Sequence, residues 1–201
     1  MEIAIGSFGR SALVRTAEYF PSAKIYVPES QAADYRKNYG EAVIAIPDSE
    51  DGSAARKRNA ILNRNKGKTV LILDDDIVGL YDIHAQKIVP PDVGLCLVER
   101  LAILQKEIGC HIAGFSPTAD RMKFRDFLPF SLTKQVYFGV LVRECGIRYD
   151  ERLTHAEDVD FWLQNLLADR EVVRMNRYAW KVSESKKGGI NDRAKETIRL
   201  G

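Results

Sequence analysis

Thr69-Val70-Leu71-Ile72-Leu73-Asp74-Asp75-Asp76-Ile77 decides how this chain reads. A short aliphatic run, apolar on both faces, ends in three carboxylates. That is the pattern of a central strand covered by helices on both sides. In open α/β sheets, ligands bind beyond the carboxyl ends of the strands. The aspartates therefore fall where such an architecture keeps its chemistry. Adjacent carboxylates repel one another unless a cation joins them. Hard oxygen ligands suit Mg²⁺ or Mn²⁺, and Mg²⁺ is commonly held by one or two carboxylates together with substrate phosphates. Taken alone, the three acids also read as a solvated loop. Alternate side chains on an extended segment point to opposite sides, so at least one aspartate is expected to face away from a shared metal.

Upstream, strands and helices alternate. Ile3-Ala4-Ile5 reads as a buried strand leading into Gly6-Ser7-Phe8-Gly9-Arg10. Ser11 is expected to cap a helix reaching about Tyr19. A strand, a Gly-containing turn and a helix start suit a nucleotide base or phosphate, and the same turn also serves simply to reverse the chain. Lys24-Ile25-Tyr26-Val27 is the second strand, closed by Pro28. Ser30 opens a helix to about Asn38, ended by Gly40, and Val43-Ile44-Ala45-Ile46 is the third strand. Ser53 starts a helix to about Asn65, whose surface carries Arg56, Lys57, Arg58, Asn59 and Arg64. This βαβαβαβ rhythm implies a parallel sheet with helices on its faces.

Downstream of the aspartates the rhythm changes. Gly79 to Asp82 and Lys87 to Val89 read as a hairpin. Pro90-Pro91 leads into a helix from about Asp92 to Glu107, ended by Gly109, and His111 to Phe115 is a strand. Ser116 to Lys134 is irregular, with Arg121, Lys123 and Arg125 interleaved with Phe124, Phe127 and Phe130. Long irregular segments in compact domains are commonly functional or disordered. Interleaved aromatic and basic residues suit a single-stranded or flipped nucleotide; a loop folded on its own apolar cluster is the equal alternative. Gln135 to Val142 reads as a strand in which Gly139 marks a close backbone approach. His155-Ala156-Glu157-Asp158 then opens a helix with a core face of Val159, Phe161, Trp162, Leu163, Leu166 and Leu167. Val172 to Val182 is the last strand, and Ser183 to Gly201 is a basic tail containing Lys186 and Lys187. Trp162 and Trp180 read as core residues rather than stacking platforms.

A length of 201 residues fits one domain. No apolar run approaches the ~20 residues of a membrane span. The N-terminus lacks the pattern of a signal peptide. Cys96, Cys110 and Cys145 form no CxxC and no disulfide framework, which points to a reducing cytoplasm. A net charge of +2 permits a nucleic-acid or phosphorylated partner without requiring one.

The stretch GSAARKRNAILNRNKGKTVLILDDD is similar to the nucleotide-sugar half of GT-A glycosyltransferases. Arg58-Asn59 matches that family's Ala-Arg-Asn-like helix start, Asp74-x-Asp76 its DxD motif, and Ala156-Glu157-Asp158 its acidic pair at a later helix start. The phrases IAIGSFGR, IYVPES, RKRNAIL and LILDDDI look like the TET-associated glycosyltransferases of phages, which are linked to sugar addition on hydroxymethylated pyrimidines in DNA.

The resemblance implies one α/β domain, a Rossmann-like GT-A mixed sheet with helices on both faces. Residues 1–78 would form the nucleotide-sugar half, 79–182 the acceptor and catalytic half, and 183–201 the basic tail. It implies Mn²⁺ or Mg²⁺ on Asp74 and Asp76, and a UDP-sugar donor. Ser7, Arg10, Arg58, Asn59, Asp74, Asp75 and Lys187 would contact the nucleotide-sugar, and Asp75 would face its ribose or sugar. Asp158 would be the general base, with Glu157 holding the acceptor or replacing it. The plainer reading of this pair is helix capping, since acids favour a first turn. The implied acceptor is 5-hydroxymethylcytosine or 5-hydroxymethyluracil in DNA, met in a host cytoplasm without a membrane. Many GT-A enzymes carry a further metal-ligand His near the C-terminus. Here the last histidine is His155, so Lys186 or Lys187 is expected to offset leaving-group charge. A saccharide or lipid acceptor, a nucleotidyltransferase and a non-catalytic DNA-binding relative are the competing readings; GSFGR is short for the Gly-rich signature of a nucleotidyltransferase.

Overall fold

The aliphatic runs of the sequence lie side by side in one sheet. In the computed structural model, which describes residues 1–144 and 146–183, the order is β1 (Glu2–Gly6), α1 (Arg15–Tyr19), β2 (Lys24–Pro28), α2 (Glu29–Tyr39), β3 (Val43–Ile46), α3 (Ala54–Arg64), β4 (Val70–Asp74), β5 (Ile77–Asp82), β6 (Lys87–Ile88), α4 (Pro91–Ile108), β7 (Ile112–Ser116), β8 (Phe130–Ser131), β9 (Val140–Val142), α5 (Glu157–Asp169) and β10 (Val173–Val182). The strands follow the spatial order β3-β2-β1-β4-β9-β7-β10-β5-β6, with β8 on β10. The β1, β2, β3 and β4 pairings are parallel, as the alternation implied. Strand β9 runs antiparallel to both β4 and β7, and β10 is parallel to β7 but antiparallel to β5. The sheet is therefore mixed.

Strand alternation divides the core into two layers. Ile3, Ile5, Leu71 and Leu73 pack with residues of α1, α2 and α4, including Tyr19, Tyr35, Val98 and Leu101. Ala4, Val70 and Ile72 face the other way, against Ala55 and Ile61 of α3 and Phe161 of α5. Both faces of the sheet are covered by helices. Among the described residues, no helix is long and apolar enough to cross a membrane.

Several boundaries differ from expectation. Helix α1 starts at Arg15 after Val14, without a side-chain cap, so Ser11 lies in the preceding turn. Helix α2 starts at Glu29, and the Ser30 hydroxyl donates to Asp48 across to the loop after β3, at 2.8 Å. Ser53 does cap α3, accepting from the Arg56 N–H at 3.1 Å. On α5, Leu163 and Leu167 are exposed; Glu157, Phe161 and Asn165, spaced four apart, are the buried positions. Phe161 there stacks on Tyr149 with ring centroids 4.0 Å apart.

The strand expected over Gln135 to Val142 is paired only from Val140. Phe138 and Gly139 before it have φ of +60° and +133°, which takes the chain out of extended geometry. A Cβ on Gly139 would come within 2.2 Å of the Trp180 ring nitrogen and 2.8 Å of a Leu73 methyl. The expected close approach is real, and Trp180 uses it by donating to the Gly139 carbonyl at 3.2 Å. Trp180 is buried between Phe20 and Phe115, both edge-on. Trp162 is partly buried against the second layer. The irregular stretch from Ser116 contains β8, which pairs with Arg174 and Met175 of β10.

Candidate active site

The alternation that sends Val70 and Ile72 toward α3 and α5 sends Asp74 the same way. Two charged side chains from those helices meet it there. Arg58, on α3, donates to Asp74 at 3.1 Å and to Glu157, the first residue of α5, at 2.9 Å. Its guanidinium lies 5.5 Å from the centre of the Tyr149 ring. The Arg58 side chain is 13% exposed, and Glu157 is buried. Burial works against the Arg58 charge, but Asp74, Tyr149 and Glu157 together hold its pKa above the usual value. Burial likewise pushes the Tyr149 hydroxyl up, against the opposing pull of Arg58. Arg58 thus joins the DxD aspartate to the second acidic pair.

Asp75 points elsewhere. It accepts from the Ser7 hydroxyl at 2.5 Å and pairs with Arg10. Tyr35 completes this cluster: its hydroxyl lies 2.7 Å from Ser7 Oγ and accepts from the Arg10 N–H at 2.9 Å. Arg10 also reaches Asp76 at 3.3 Å. Burial raises the Asp75 pKa, partly offset by the Ser7 hydrogen bond and Arg10. Burial, then Asp74 and Asp75, raise that of Asp76, with Arg10 opposing.

The turn after β1 is fastened from a second side. Lys57 donates to the Ser7 carbonyl and pairs with Asp51 at 3.2 Å. Lys57 is buried rather than solvated, contrary to the sequence reading; one turn of helix carries both Lys57 and Arg58 inward, each to an acid. Asn59 is also buried. Its amide donates to the Tyr149 carbonyl and to Glu151, both at 2.9 Å, and its oxygen accepts from the Tyr149 N–H. The side chain expected at the nucleotide-sugar is engaged in holding the loop of Tyr149 and Glu151 to α3.

Thr16 was not legible as part of this site. Its hydroxyl donates to the Asp74 carbonyl at 2.5 Å and accepts from the Ile77 N–H at 3.0 Å, clasping the turn that carries the aspartates. The only cue was its place in the first helix. The Ser183 N–H donates to the Asp76 carbonyl at 2.8 Å, so β10 ends at the acidic turn. Lys186 and Lys187 lie outside the described residues.

The acidic pair splits in two. Glu157 is tied to Arg58, while Asp158 is half-buried and accepts from the Val159 N–H at 2.8 Å. Ala156 before them is left-handed, with φ +59°, and gives α5 no side-chain cap. His155 is exposed.

Among the described residues, no three His, Cys, Asp or Glu side chains gather closely enough to hold a metal unaided. Two partly exposed carboxylates fit a different donor set. The side chains of Asp74 and Asp76 are 43% and 29% exposed at the strand end. Burial, joined by the neighbouring acids, raises both Asp75 and Asp76 against the pull of Arg10. A hard cation completed by substrate phosphates suits that arrangement.

A family described as TET-associated glycosyltransferase matches residues 2–189. No curated protein matches the sequence. Solved structures resemble the fold. S. aureus TarS 1-349 in complex with UDP superposes with a TM-score of 0.57 at 12% identity, covering 100% of this chain and 64% of that one. Full S. aureus TarS gives 0.56 at 13% identity, with 39% of its length covered. Glucosyl-3-phosphoglycerate synthase from Mycobacterium tuberculosis, in complex with Mn²⁺, UDP and glucosyl-3-phosphoglycerate, gives 0.55 at 8% identity over 98% of this chain and 76% of that one. The chain spans less than two thirds of the TarS chains. At these identities the shared property is the fold, a mixed α/β sheet with helices on both faces.

Proposed function

The chain belongs to the TET-associated glycosyltransferase family, and from that premise we propose that it moves a sugar from a UDP-sugar to the hydroxymethyl group of 5-hydroxymethylcytosine or 5-hydroxymethyluracil in DNA. The observation that carries the reading is Arg58, which joins Asp74 to Glu157 and so places a donor-side acid beside an acceptor-side acid. The UDP bound in the TarS structure, and the Mn²⁺ and UDP in the mycobacterial one, support the choice of donor.

The residues divide the work. Ser7, Arg10 and Asp75 form the wall against which the nucleoside rests. Asp74 and Asp76 would hold Mn²⁺ or Mg²⁺. When bound, that cation would neutralise charge on the departing nucleoside diphosphate. Arg58 supplies fixed positive charge beside Asp74 and holds Glu157 in place. Glu157 is thereby committed, which leaves the base role to Asp158. Asp158 takes the proton of the acceptor hydroxyl as its oxygen bonds to the anomeric carbon. The bond from that carbon to the diphosphate breaks, and the electron pair leaves with the nucleotide. Lys187, which comes after β10 in the sequence, is assigned to the leaving group's charge.

The exposed stretch bearing Arg121, Lys123, Arg125 and Phe127 favours DNA over a saccharide acceptor. Phe127 is 78% exposed, so this loop does not fold on its own apolar cluster. Cations suit the phosphate backbone, and exposed aromatic rings suit unpaired bases.

The test is incubation with a panel of labelled nucleotide-sugars, Mn²⁺ and oligonucleotides carrying 5-hydroxymethylcytosine, 5-hydroxymethyluracil or cytosine. Mass gain of one sugar on a modified base alone is the expected result. No gain on either base, with sugar transferred to a saccharide, would move the acceptor. Release of pyrophosphate in a parallel incubation with nucleoside triphosphates and a sugar 1-phosphate would move the enzyme to nucleotidyl transfer.

A further inference from the structure

Phe138 is an aromatic residue in the wrong conformation for its type. Its φ is +60°, a region that bulky side chains avoid and glycine enters freely. Such strain persists only where its surroundings impose it, and it gathers at functional sites. The ring is also 44% exposed.

The surroundings are firm on both sides. Val136 is buried, packed so close to Gly114 that a Cβ there would come within 2.9 Å of it. Gly139 is pressed against Trp180 and Leu73. The two residues between these anchors, Tyr137 and Phe138, are displayed by a fixed backbone. Their rings meet edge to face, with centroids 4.7 Å apart.

Their place in the sheet gives the display a direction. Strand β9 pairs with β4 as Val70 with Val142, Leu71 with Leu141 and Ile72 with Val140. The regular register stops at Val140, but a Cβ on Gly139 would come within 2.8 Å of a Leu73 methyl, so the chain before Val140 runs on past the carboxyl end of β4. An exposed residue in a left-handed backbone therefore stands near the carboxyl end of the central strand, where the acidic turn begins. The chain reaches it directly from the cation-bearing loop of Arg121, Lys123 and Arg125.

We propose that Phe138, backed by Tyr137, is the stacking platform for the acceptor's pyrimidine ring, receiving an extruded base and holding it near the acidic turn at the end of β4. Enzymes that modify bases commonly hold the flipped ring between aromatic or apolar side chains. The inference rests on the DNA-acceptor reading above and names a binding residue for it.

The experiment uses the full chain and single-stranded oligonucleotides. Fluorescence anisotropy gives affinity for a strand carrying 5-hydroxymethyluracil. A strand with 5-iodouracil at the same position, photo-crosslinked and mapped by mass spectrometry, reports which ring stacks on the base. The variants are Phe138→Gly, which suits the left-handed backbone and should melt no lower than the native protein, and Phe138→Tyr, which keeps a ring. The crosslink is expected at Phe138 or Tyr137. Affinity should fall at least about 5-fold in Phe138→Gly, the low end of the loss of one base–aromatic stack, and recover in Phe138→Tyr. Native affinity in Phe138→Gly, with the crosslink mapping elsewhere, would overturn the platform and leave the DNA acceptor standing. No binding by the native protein to any of these strands would overturn the DNA reading and the platform with it.

Discussion

At the scale of single residues, Arg58 separates the two acids of the second motif. Because Glu157 shares its guanidinium with Asp74, neutralising Glu157 and neutralising Asp158 should have different consequences. Asp158→Asn is expected to keep donor affinity while turnover falls about 10²-fold or more, the usual size of a general-base contribution. Glu157→Gln leaves Arg58 with one acid instead of two, and should change donor affinity and turnover together. Steady-state transfer, together with calorimetry on UDP, distinguishes these outcomes; near-native turnover in Asp158→Asn would place the base elsewhere. Arg58→Lys keeps the charge but cannot fork between two carboxylates. It should resemble Glu157→Gln rather than the native enzyme, and native kinetics would show that the bridge does nothing for catalysis. The family resemblance pointed to Arg58 and Asn59 as a pair with one task. The structure separates them, because adjacent helical residues sit about 100° apart: Arg58 turns to Asp74, and Asn59 turns to Tyr149.

At the scale of elements, the early strands and helices were legible because each aliphatic run is short and bounded by Gly, Pro or a polar turn. What comes after Asp76 was harder to read. Strand β9 is cut short by the backbone of Phe138, and β8 depends on partners in β10, which no local pattern announces. The inner face of α5 was misread because Glu157 and Asn165 are buried polar positions, while Leu163 and Leu167 point outward. The hairpin of β5 and β6 is held in a way composition also conceals. Asp82, buried on β5, accepts from Arg177 of β10 at 2.8 Å and from the N–H groups of His84 and Ala85, both at 3.0 Å. Burial opposes its charge, but Arg177 and the two N–H groups outweigh burial and lower its pKa. A carboxyl whose folded pKa lies below its unfolded value stabilises the fold above the unfolded pKa, about 3.9. That contribution is lost as pH falls through the folded value. Asp82→Asn should therefore melt lower than the native protein at pH 7, and the gap should narrow toward pH 3. A gap of equal size at both pH values would assign the effect to hydrogen bonding alone.

At the scale of the whole molecule, the acidic turn is a junction. Thr16 of α1, Ser183 after β10, Arg58 of α3 and Arg10 after β1 all converge on Asp74, Asp75 and Asp76. The burial and mutual repulsion that raise Asp75 and Asp76 are a cost that this fold carries without a ligand. On the proposed reading, a divalent cation alone would meet only two partly exposed carboxylates, and UDP alone would bring more negative charge to the same place. Bound together, each supplies what the other lacks. Their effects on stability should therefore exceed the sum of the separate ones. Ligand at about 100 times its Kd adds about 2.7 kcal/mol. For a domain of this size, each 1 kcal/mol moves Tm by about 2–4 °C, so Mn²⁺ with UDP should raise Tm by about 5–10 °C. Mn²⁺ or UDP singly should give a small fraction of that shift, EDTA should abolish it, and Asp76→Ala should abolish it without EDTA. A melt in which UDP alone produces the full shift in EDTA would remove the metal from donor binding. Asp74 and Asp76 would then be left as acids that Arg58 and Arg10 neutralise for the sake of the fold.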